Sequence, residues 1–204
     1  MDAKDTCLFE IPFRGNRDYL QGTDLFSEVT KWIRQTLRDP EAYLSRITFN
    51  RMCQHAALGV LGDSDENSRA FGSFTYESSQ SPKTGHGYLV ETIHPVKHRE
   101  VYSEDLLQSS AELIFRGVES RLKVPEQYNA IQAIVGLTKM LCYHNSTGSG
   151  RWLFARLDLT GVLGQRIEMV ELKLIRLIDE RYAVVSITAD EKAIGKIRFI
   201  KDVG

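Results

Sequence analysis

The sequence predicts an α+β fold in which helices pack against antiparallel strands. Two runs, around residues 23–37 and 127–143, have helical periodicity, and each is followed by short segments in which apolar and polar residues alternate. The order of a strand, a helix and then several strands occurs twice. Such a recurrence over about a hundred residues predicts an internal repeat.

The composition is that of an ordinary globular protein. Of 204 residues, 42% are hydrophobic and 26% charged, which suits one large core or two small fused cores. The net charge of −1 has no long block of either sign, so we expect no nucleic acid and no membrane surface as partner. Three widely spaced cysteines fit reduced thiols. Without a signal-peptide pattern or a membrane-length apolar run, the sequence predicts a soluble, cytoplasmic protein.

The first half is predicted to hold one helix and a sheet. The segment LFEIPF, residues 8–13, is strand-like, and the helix over 23–37 has Thr23 or Asp24 as N-cap. After it, YLSRITFN, HAALGVLG, AFGSFTYE and YLVETIHPV read as strands separated by polar turns at 62–68 and 78–87. We therefore expect an antiparallel meander over 43–96.

The second half repeats this order. Residues 104–122 suit a helix or a sheet, and we expect an extended stretch around 112–121. The run KVPEQYNAIQAIVGLTKMLCYHN, residues 123–145, is the most apolar helical segment of the chain. From residue 151 onward the pattern is that of strands, with short turns at 179–180 and 190–192. A shift of 108 positions places TKWI on TKML and Gln21 on Asn129.

The closing segment, FARLDLTGVLGQRIEMVELKLIRLIDERYAVVSITADEKAIGKIRFI, resembles the closing strands of hotdog dehydratases and thioesterases, with VLGQ at 162–165 in place of their Pro-Gly-Asp turn. The helix start Tyr128-Asn129-Ala130-Ile131 is similar to that of FcoT-type fatty-acyl-CoA thioesterases. The resemblance implies a double hotdog, two long helices each wrapped by antiparallel strands that form one extended sheet. Residues 1–105 would be a first, degenerate hotdog and residues 106–204 a second, together one compact unit.

The resemblance also implies an activity. Hotdog enzymes act on acyl thioesters of coenzyme A or acyl carrier protein, in fatty acid or polyketide metabolism, without a cofactor. The expected site lies between the two halves near the helix N-termini, where unpaired N–H groups and the helix dipole stabilise charge on the thioester carbonyl. Both a thioesterase and a dehydratase-like enzyme fit this expectation, and a homo-oligomer is left open.

Five residues at the helix starts are the candidate catalytic groups. Asn129 would bind the carbonyl or an attacking water, and Tyr128 would donate from its phenol. Asp18, Tyr19 and Asp24 would stand at the equivalent start of the first helix, with a carboxylate as general base. Each has a structural alternative, because Asn and Asp commonly cap helices and Tyr128 suits a core or rim position.

Histidine, arginine and cysteine side chains give weaker signals. A dehydratase of this fold would have a histidine before one helix, and its absence supports the alternative of a non-catalytic acyl-binding or partner subunit. Arg151, after the turn STGSG, would contact a phosphate of coenzyme A.

His94 and His98 are four apart but flank Pro95, which favours a surface loop and no metal. The spacing of Cys53 and His55, repeated in Cys142 and His144, allows a thiol–imidazole pair or plain buried thiols.

Overall fold

The computed structural model describes residues 6–62, 70–80, 83–101, 107, 109–114, 117–164 and 166–203. The chain forms two compact units, Met1–Tyr102 and Ser103–Gly204, called unit 1 and unit 2 below. Each unit contains one of the two predicted helices and an antiparallel sheet, so the predicted α+β class is confirmed.

Unit 1 contains one helix and seven strands within its described residues. The elements are β1 (Thr6–Phe9), β2 (Phe13–Arg14), α1 (Gly22–Leu37), β3 (Tyr43–Phe49), β4 (His55–Leu61), β5 (Ala70–Glu77), β6 (Thr84–Pro95) and β7 (Arg99–Glu100). The short strands β2 and β7 pair in parallel, which anchors the segment that leads into α1.

Helix α1 is amphipathic and buries its apolar face against the sheet. Its N-cap is Gln21, in an extended conformation, so the prediction of Thr23 or Asp24 is wrong; both lie in the first turn. Trp32 makes edge-to-face contacts with Phe9 and Phe74, with ring centroids 5.8 and 6.1 Å apart. Such aromatic pairs contribute about 0.5–1.5 kcal/mol each beyond the area they bury.

The sheet of unit 1 is antiparallel but is not a meander. Its strands lie in the order β1-β4-β6-β5-β3, so β6 separates β4 from β5. The predicted meander over 43–96 is therefore wrong in strand order, although its strands are present. The predicted turn at 62–68 lies largely outside the described residues.

Strand β6 begins earlier than predicted, at Thr84 instead of residue 88. Gly85 and Gly87 gave this part of the chain the composition of a turn. In the structure the ring of Tyr76 covers Gly85 and that of Phe74 covers Gly87, where an added Cβ would lie 2.2 and 2.3 Å from ring or hydroxyl atoms. The aromatic rings of β5 thus lie over the two glycines of β6 and fill the space that side chains would occupy at those positions.

Unit 2 contains the second helix and six strands within its described residues. The elements are β8 (Glu112–Ile114), β9 (Glu119–Lys123), α2 (Ala130–His144), β10 (Arg151–Leu159), β11 (Met169–Ile178), β12 (Tyr182–Ala189) and β13 (Lys192–Asp202). The predicted extended stretch around 112–121 is confirmed in part, because β8 and the start of β9 lie within it but a turn at 117–118 precedes β9 and residues 115–116 lie outside the described residues. The predicted closing strands are confirmed.

The strands of unit 2 lie in the order β10-β13-β12-β11-β9-β8. A three-residue turn, 179–181, joins β11 to β12, and a two-residue turn, 190–191, joins β12 to β13. Asp179, Glu180, Asp190 and Glu191 have positive φ, between 46° and 67°. Positive φ at both central residues defines the type I′ turn, whose twist matches that of paired strands. The acidic pairs at 179–180 and 190–191 therefore close hairpins, whereas Gln165 of the predicted VLGQ turn lies outside the described residues.

Helix α2 is buried on more of its circumference than α1. Ten of its 15 residues are buried, including Thr138, whose hydroxyl donates to the Ile134 carbonyl at 2.7 Å. Leu107 lies directly over Gly136, with its Cδ1 2.8 Å from where a Cβ would stand. The most apolar helical run of the sequence is therefore the core of unit 2.

The offset of the predicted repeat recurs in the helix caps. The 108-residue shift aligned Gln21 with Asn129, and these two residues are the N-caps of α1 and α2. The strand orders after the helices differ, however. In unit 1, β6 lies between β4 and β5, whereas in unit 2, β12 lies between β11 and β13.

We expect Gly59→Ala to lower the free energy of unfolding by about 1–3 kcal/mol, the usual cost of overpacking a core. An added Cβ at Gly59 would lie 2.7 Å from Trp32 and 2.9 Å from Phe9. Urea denaturation followed by circular dichroism measures the change. Gly161→Ala is the control, because a Cβ there has no neighbour within 4 Å. Equal midpoints for both variants would contradict the packing described for α1.

Candidate functional site

The start of α2 is built around Asn129. Its backbone is extended, and its side-chain Oδ1 accepts the N–H of Gln132 at 3.0 Å. In return the Gln132 Oε1 accepts the N–H of Asn129 at 3.1 Å. This reciprocal capping box satisfies two backbone donors that the helix geometry leaves without partners. The structural alternative for Asn129, a helix cap, is therefore present.

Capping leaves Asn129 with an unused donor. The residue is exposed, and its Nδ2 makes no hydrogen bond within the described residues. The N–H groups of Ala130 and Ile131, the first two of the helix, likewise have no acceptor in that part of the chain. The start of α2 thus presents an amide donor beside two backbone donors at the positive end of the helix dipole.

Tyr128 lies in the tight turn that leads into this cap. Its backbone N–H donates to the Pro125 carbonyl at 3.0 Å, and the residue is half-buried. The turn directs the chain into the extended conformation that Asn129 needs as N-cap.

At the start of α1, Asp24 is held by an arginine. Arg14 Nε lies 2.9 Å and Arg14 Nη2 lies 3.4 Å from the two carboxylate oxygens of Asp24, whose side chain is 12% exposed. Arg14 also pairs with Glu100 through its Nη1. An acidic group in the first turn stabilises the helix dipole, and the two-point contact fixes the carboxylate.

Asp18 and Tyr19 lie in the segment before α1. Asp18 is exposed and Tyr19 is half-buried, and neither side chain makes a hydrogen bond or ion pair within the described residues. Asp18, Tyr19 and Asp24 all belong to unit 1, whereas Tyr128 and Asn129 belong to unit 2.

Arg151 opens strand β10. Its side chain is 58% exposed, and its Nη2 lies 3.4 Å from Asp202 Oδ2 on the neighbouring strand β13. The preceding turn is fastened to unit 2 by Lys201, whose Nζ donates to the carbonyls of Thr147 and Gly148 at 2.6 and 3.2 Å. A phosphate at Arg151 would thus compete with Asp202.

The cysteines are poor nucleophiles. Burial raises the pKa of Cys53 and of Cys142 to about 12. The thiol of Cys53 donates to the backbone carbonyl of His55 at 3.2 Å, so Cys53 forms no thiol–imidazole pair with it. Both thiols fit the interpretation of plain buried cysteines.

His94 and His98 are both exposed. Within the part of the chain that the structure describes, no group of three or more His, Cys, Asp and Glu side chains could hold a metal ion. Neither described helix is long and apolar enough to cross a membrane.

One polar cluster was missed by the sequence reasoning. Glu91 on β6 accepts the Nδ1 of His55 at 3.0 Å and the backbone N–H groups of Gln54 and His55 at 2.7 and 3.2 Å, and it pairs with Arg51. Despite partial burial, hydrogen bonds from Arg51, His55 and Gln54 hold the pKa of Glu91 down at about 2. Only the pairing of β4 with β6, which sets Ala57 opposite Glu91, brings these distant residues together.

Comparisons with known proteins identify the fold. No protein-family profile matches the chain, and no curated protein sequence does. The dehydratase domain of PpsC from Mycobacterium tuberculosis in complex with C12:1-CoA is similar in structure, at 11% identity, 90% coverage of this chain, 85% of that chain and a TM-score of 0.52. A tesB protein of Mycobacterium avium subspecies paratuberculosis is also similar, at 11% identity, 98% and 93% coverage and a TM-score of 0.51. Both are hotdog proteins, so the predicted hotdog fold is confirmed.

We expect Asn129→Ala to lower the free energy of unfolding by about 1 kcal/mol, the usual cost of removing an N-cap side chain. Asn129→Asp keeps an oxygen acceptor for the Gln132 N–H and should remain close to the wild type. Thermal and urea unfolding of both variants measure the difference. An alanine variant as stable as the aspartate variant would show that the capping box contributes nothing to stability.

Glu91 should make stability depend on pH. Its folded pKa of about 2 lies below the ordinary value of 4.5, so the ionised carboxylate stabilises the fold above pH 4.5, and this contribution is lost as pH falls towards 2. We expect Glu91→Gln to be less stable than the wild type at about pH 6, with the difference shrinking as pH falls from about 5 to about 2. Urea denaturation across this range measures it. A difference that is constant with pH would contradict the ionic role of Glu91.

Proposed function

We propose that this protein acts on an acyl thioester, carried by coenzyme A or by an acyl carrier protein, as a hydrolase or a dehydratase-like enzyme. The observation that carries the proposal is the start of α2, where three donors have no acceptor within the described residues and stand at the end of a largely buried helix. The hotdog fold supports the choice of substrate class. The similar PpsC domain was solved with C12:1-CoA, and the other similar structure is a tesB protein.

The donors at the start of α2 suit a thioester carbonyl. As a nucleophile attacks, negative charge grows on the carbonyl oxygen, and fixed N–H donors stabilise it without reorganising. Asn129 can combine its structural and catalytic roles, because Oδ1 caps the helix while Nδ2 donates to the substrate. In this proposal Tyr128 donates a second hydrogen bond from its phenol, and Arg151 contacts a phosphate of the carrier.

The carboxylates of unit 1 have different prospects as general bases. Asp24 contacts Arg14 through both of its carboxylate oxygens, so its acceptor positions are already engaged within the fold. Asp18 is exposed and has no such partner within the described residues. We retain Asp18, Tyr19 and Asp24 as proposed site residues, with Asp18 the freer carboxylate.

We also propose that the two units are two hotdog repeats. Each has a helix packed against an antiparallel sheet, and the two N-caps fall at the repeat offset. The strand orders of the two units differ, and in this proposal unit 1 is the diverged copy.

A non-catalytic acyl-binding protein is the second candidate. It is favoured by the pairing of Asp24 with Arg14, which leaves no obvious acid–base pair at either helix start among the described residues. Under this candidate the purified protein carries a lipid and turns over no thioester. Mass spectrometry of the denatured protein detects such a lipid.

The decisive measurement is turnover of a panel of acyl-CoA and acyl-carrier-protein thioesters. Thiol release reports hydrolysis, and formation of an unsaturated acyl product from a 3-hydroxyacyl thioester reports dehydration. We expect Asn129→Asp, which keeps the cap but loses the Nδ2 donor, to lower kcat by about 100- to 1,000-fold, the effect of removing one oxyanion donor.

Asn50→Asp is the matched control, because Asn50 is exposed and its only described hydrogen bond comes from the backbone. It should keep wild-type activity. Full activity of Asn129→Asp would remove Asn129 from the site, and the absence of turnover by the wild type on every thioester would refute the enzymatic proposal. Asp24→Asn and Asp18→Asn, measured in the same assay, decide between the two carboxylates.

A further inference from the structure

The sheet of unit 2 has one face against α2 and one face away from it. Helix α2 lies against β9, β10, β11 and β12. In β12 and in the second half of β13, buried side chains alternate with half-buried or exposed ones. Because successive side chains point to opposite faces of a strand, the half-buried and exposed ones stand on the face away from α2. We call this the outer face.

Arginine side chains form a row across the outer face. Arg156 of β10 lies directly opposite Arg198 of β13. Arg198 in turn lies opposite Val184 of β12, which lies opposite Arg176 of β11. Directly opposed residues stand on the same face of a sheet. The strand register thus assembles a basic row from positions that are far apart in the sequence.

One carboxylate holds two of these arginines. Asp158 accepts hydrogen bonds from Nε and Nη2 of Arg156, at 3.0 and 2.8 Å, and pairs with Nη1 of Arg198. Nη1 of Arg156 and Nε and Nη2 of Arg198 have no acceptor within the described residues. Like charges directly opposite each other destabilise a sheet. Asp158 offsets this repulsion only in part, because it supplies one negative charge for two positive ones.

Two further basic groups of the outer face have no acidic partner. Arg176 and Lys196, which lies opposite Asp158, are exposed and make no ion pair within the described residues. Lys173 differs, since its Nζ lies 2.7 Å from Oε1 of Glu119. The outer face therefore has an excess of positive charge, although the net charge of the whole chain is −1.

An apolar row runs beside the arginine row. On β10, β13, β12 and β11 in turn, its members are Leu153, Ile200, Tyr182 and Ile178. Ile200 is 47% exposed and Ile178 is 37% exposed. On β12 and β13 the two rows are two residues apart, which is about 7 Å along the strand. The outer face thus combines exposed apolar surface with unbalanced basic charge.

An α-helix with an acidic stripe next to an apolar stripe fits these two rows. Neighbouring strands lie about 4.8 Å apart, so each row is about 14 Å long, the length of about ten helical residues. A helix that lies across the strands would place its residues i, i+3, i+7 and i+10 over the four positions of the arginine row. Acidic residues at i, i+3 and i+10 would then meet the three arginines, and an apolar residue at i+7 would meet Val184.

Other occupants fit this face less well. Single-stranded nucleic acid is held largely by stacking of its bases on aromatic rings, and of the eight described residues in the two rows only Tyr182 is aromatic. A second copy bound through the same face would bring two basic surfaces together, which charge repulsion opposes. An acidic partner gains from the charge that a second copy would have to overcome.

We propose that the outer face of unit 2 binds an amphipathic helix of a partner protein, with acidic residues on the arginine row and apolar residues on the apolar row. The face lies on the opposite side of the sheet from α2, so this surface is separate from the site proposed at Asn129. The proposal does not depend on the proposed thioester activity.

Fluorescence anisotropy with a synthetic peptide tests the proposal on the full-length protein. The probe is a fluorescein-labelled peptide of about 16 residues, long enough to form a helix, with Glu at i, i+3 and i+10 and Leu on the adjacent stripe. A scrambled peptide of the same composition is its control. We expect the ordered peptide to bind about tenfold more tightly than the scrambled one, because three exposed ion pairs act together. Added NaCl should weaken this binding.

Charge reversal on the protein locates the binding surface. Arg176→Glu should weaken binding of the ordered peptide by about fivefold or more, because a repulsion replaces an attraction. Ile200→Asp should also weaken it, through the apolar row. Lys97→Glu, the same change of charge at an exposed lysine of unit 1, should bind the peptide like the wild type. Thermal unfolding checks that each variant keeps its fold.

Several results would overturn the proposal. One is equal binding of the ordered and scrambled peptides, and another is equal binding of the ordered peptide by the wild type and Arg176→Glu. Tighter binding of single-stranded DNA than of the peptide would make the outer face a nucleic-acid surface instead. A dimer in analytical ultracentrifugation that Ile200→Asp dissociates would make it a contact between copies. Thioester turnover is measured separately, so the proposed function stands or fails independently of these results.

Discussion

A helix that lies along a sheet can offer its backbone to a ligand only at its ends, because all the interior N–H and C=O groups are paired. This constraint governs both units. In unit 2 most of the helix surface is buried, so the backbone N–H groups of its first turn are the polar groups that it offers to a ligand. In unit 1 the segment before α1 is joined to the segment before β4, because the Leu20 N–H donates to the Cys53 carbonyl. The chemistry available to each unit is therefore concentrated where a helix begins.

The elements that could be predicted were those with a strong local pattern. The helices and the closing strands followed from regular spacing of apolar residues. The repeat offset pairs Gln21 with Asn129, and these are the two N-caps, although Thr23 or Asp24 was the N-cap predicted for the first helix. The start of β6 could not be predicted in this way, because Gly85 and Gly87 carry no side chain and their place in the sheet depends on Phe74 and Tyr76. The strand order of unit 1 could not be predicted, because the alternation of apolar and polar residues shows which face of the sheet a side chain occupies but not which strands are neighbours.

The candidate site residues likewise differ in whether the local sequence gives a signal for them. Asn129 could be singled out because a capping residue before an apolar run is visible locally. Only the structure shows that Oδ1 of Asn129 caps the helix while Nδ2 has no hydrogen-bond partner within the described residues. The support of His55 by Glu91 had no local signal, since the two residues meet only through the register between β4 and β6. Sequence spacing instead suggests Cys53 as the partner of His55, but the Cys53 thiol donates to the backbone carbonyl of His55 and not to its ring.

The different strand orders imply different routes of assembly. In unit 2, β11, β12 and β13 pair with their neighbours in sequence, so each pairing closes a short loop. In unit 1, β4 pairs with β6 and not with the next strand, β5, so the pairing of Leu58 with Val90 closes a longer loop. Closing the longer loop costs more chain entropy before any contact repays it, and such non-local pairing slows folding. Strands β11, β12 and β13 of unit 2 can therefore form hairpin by hairpin, whereas β4 of unit 1 finds its partner only across the length of β5.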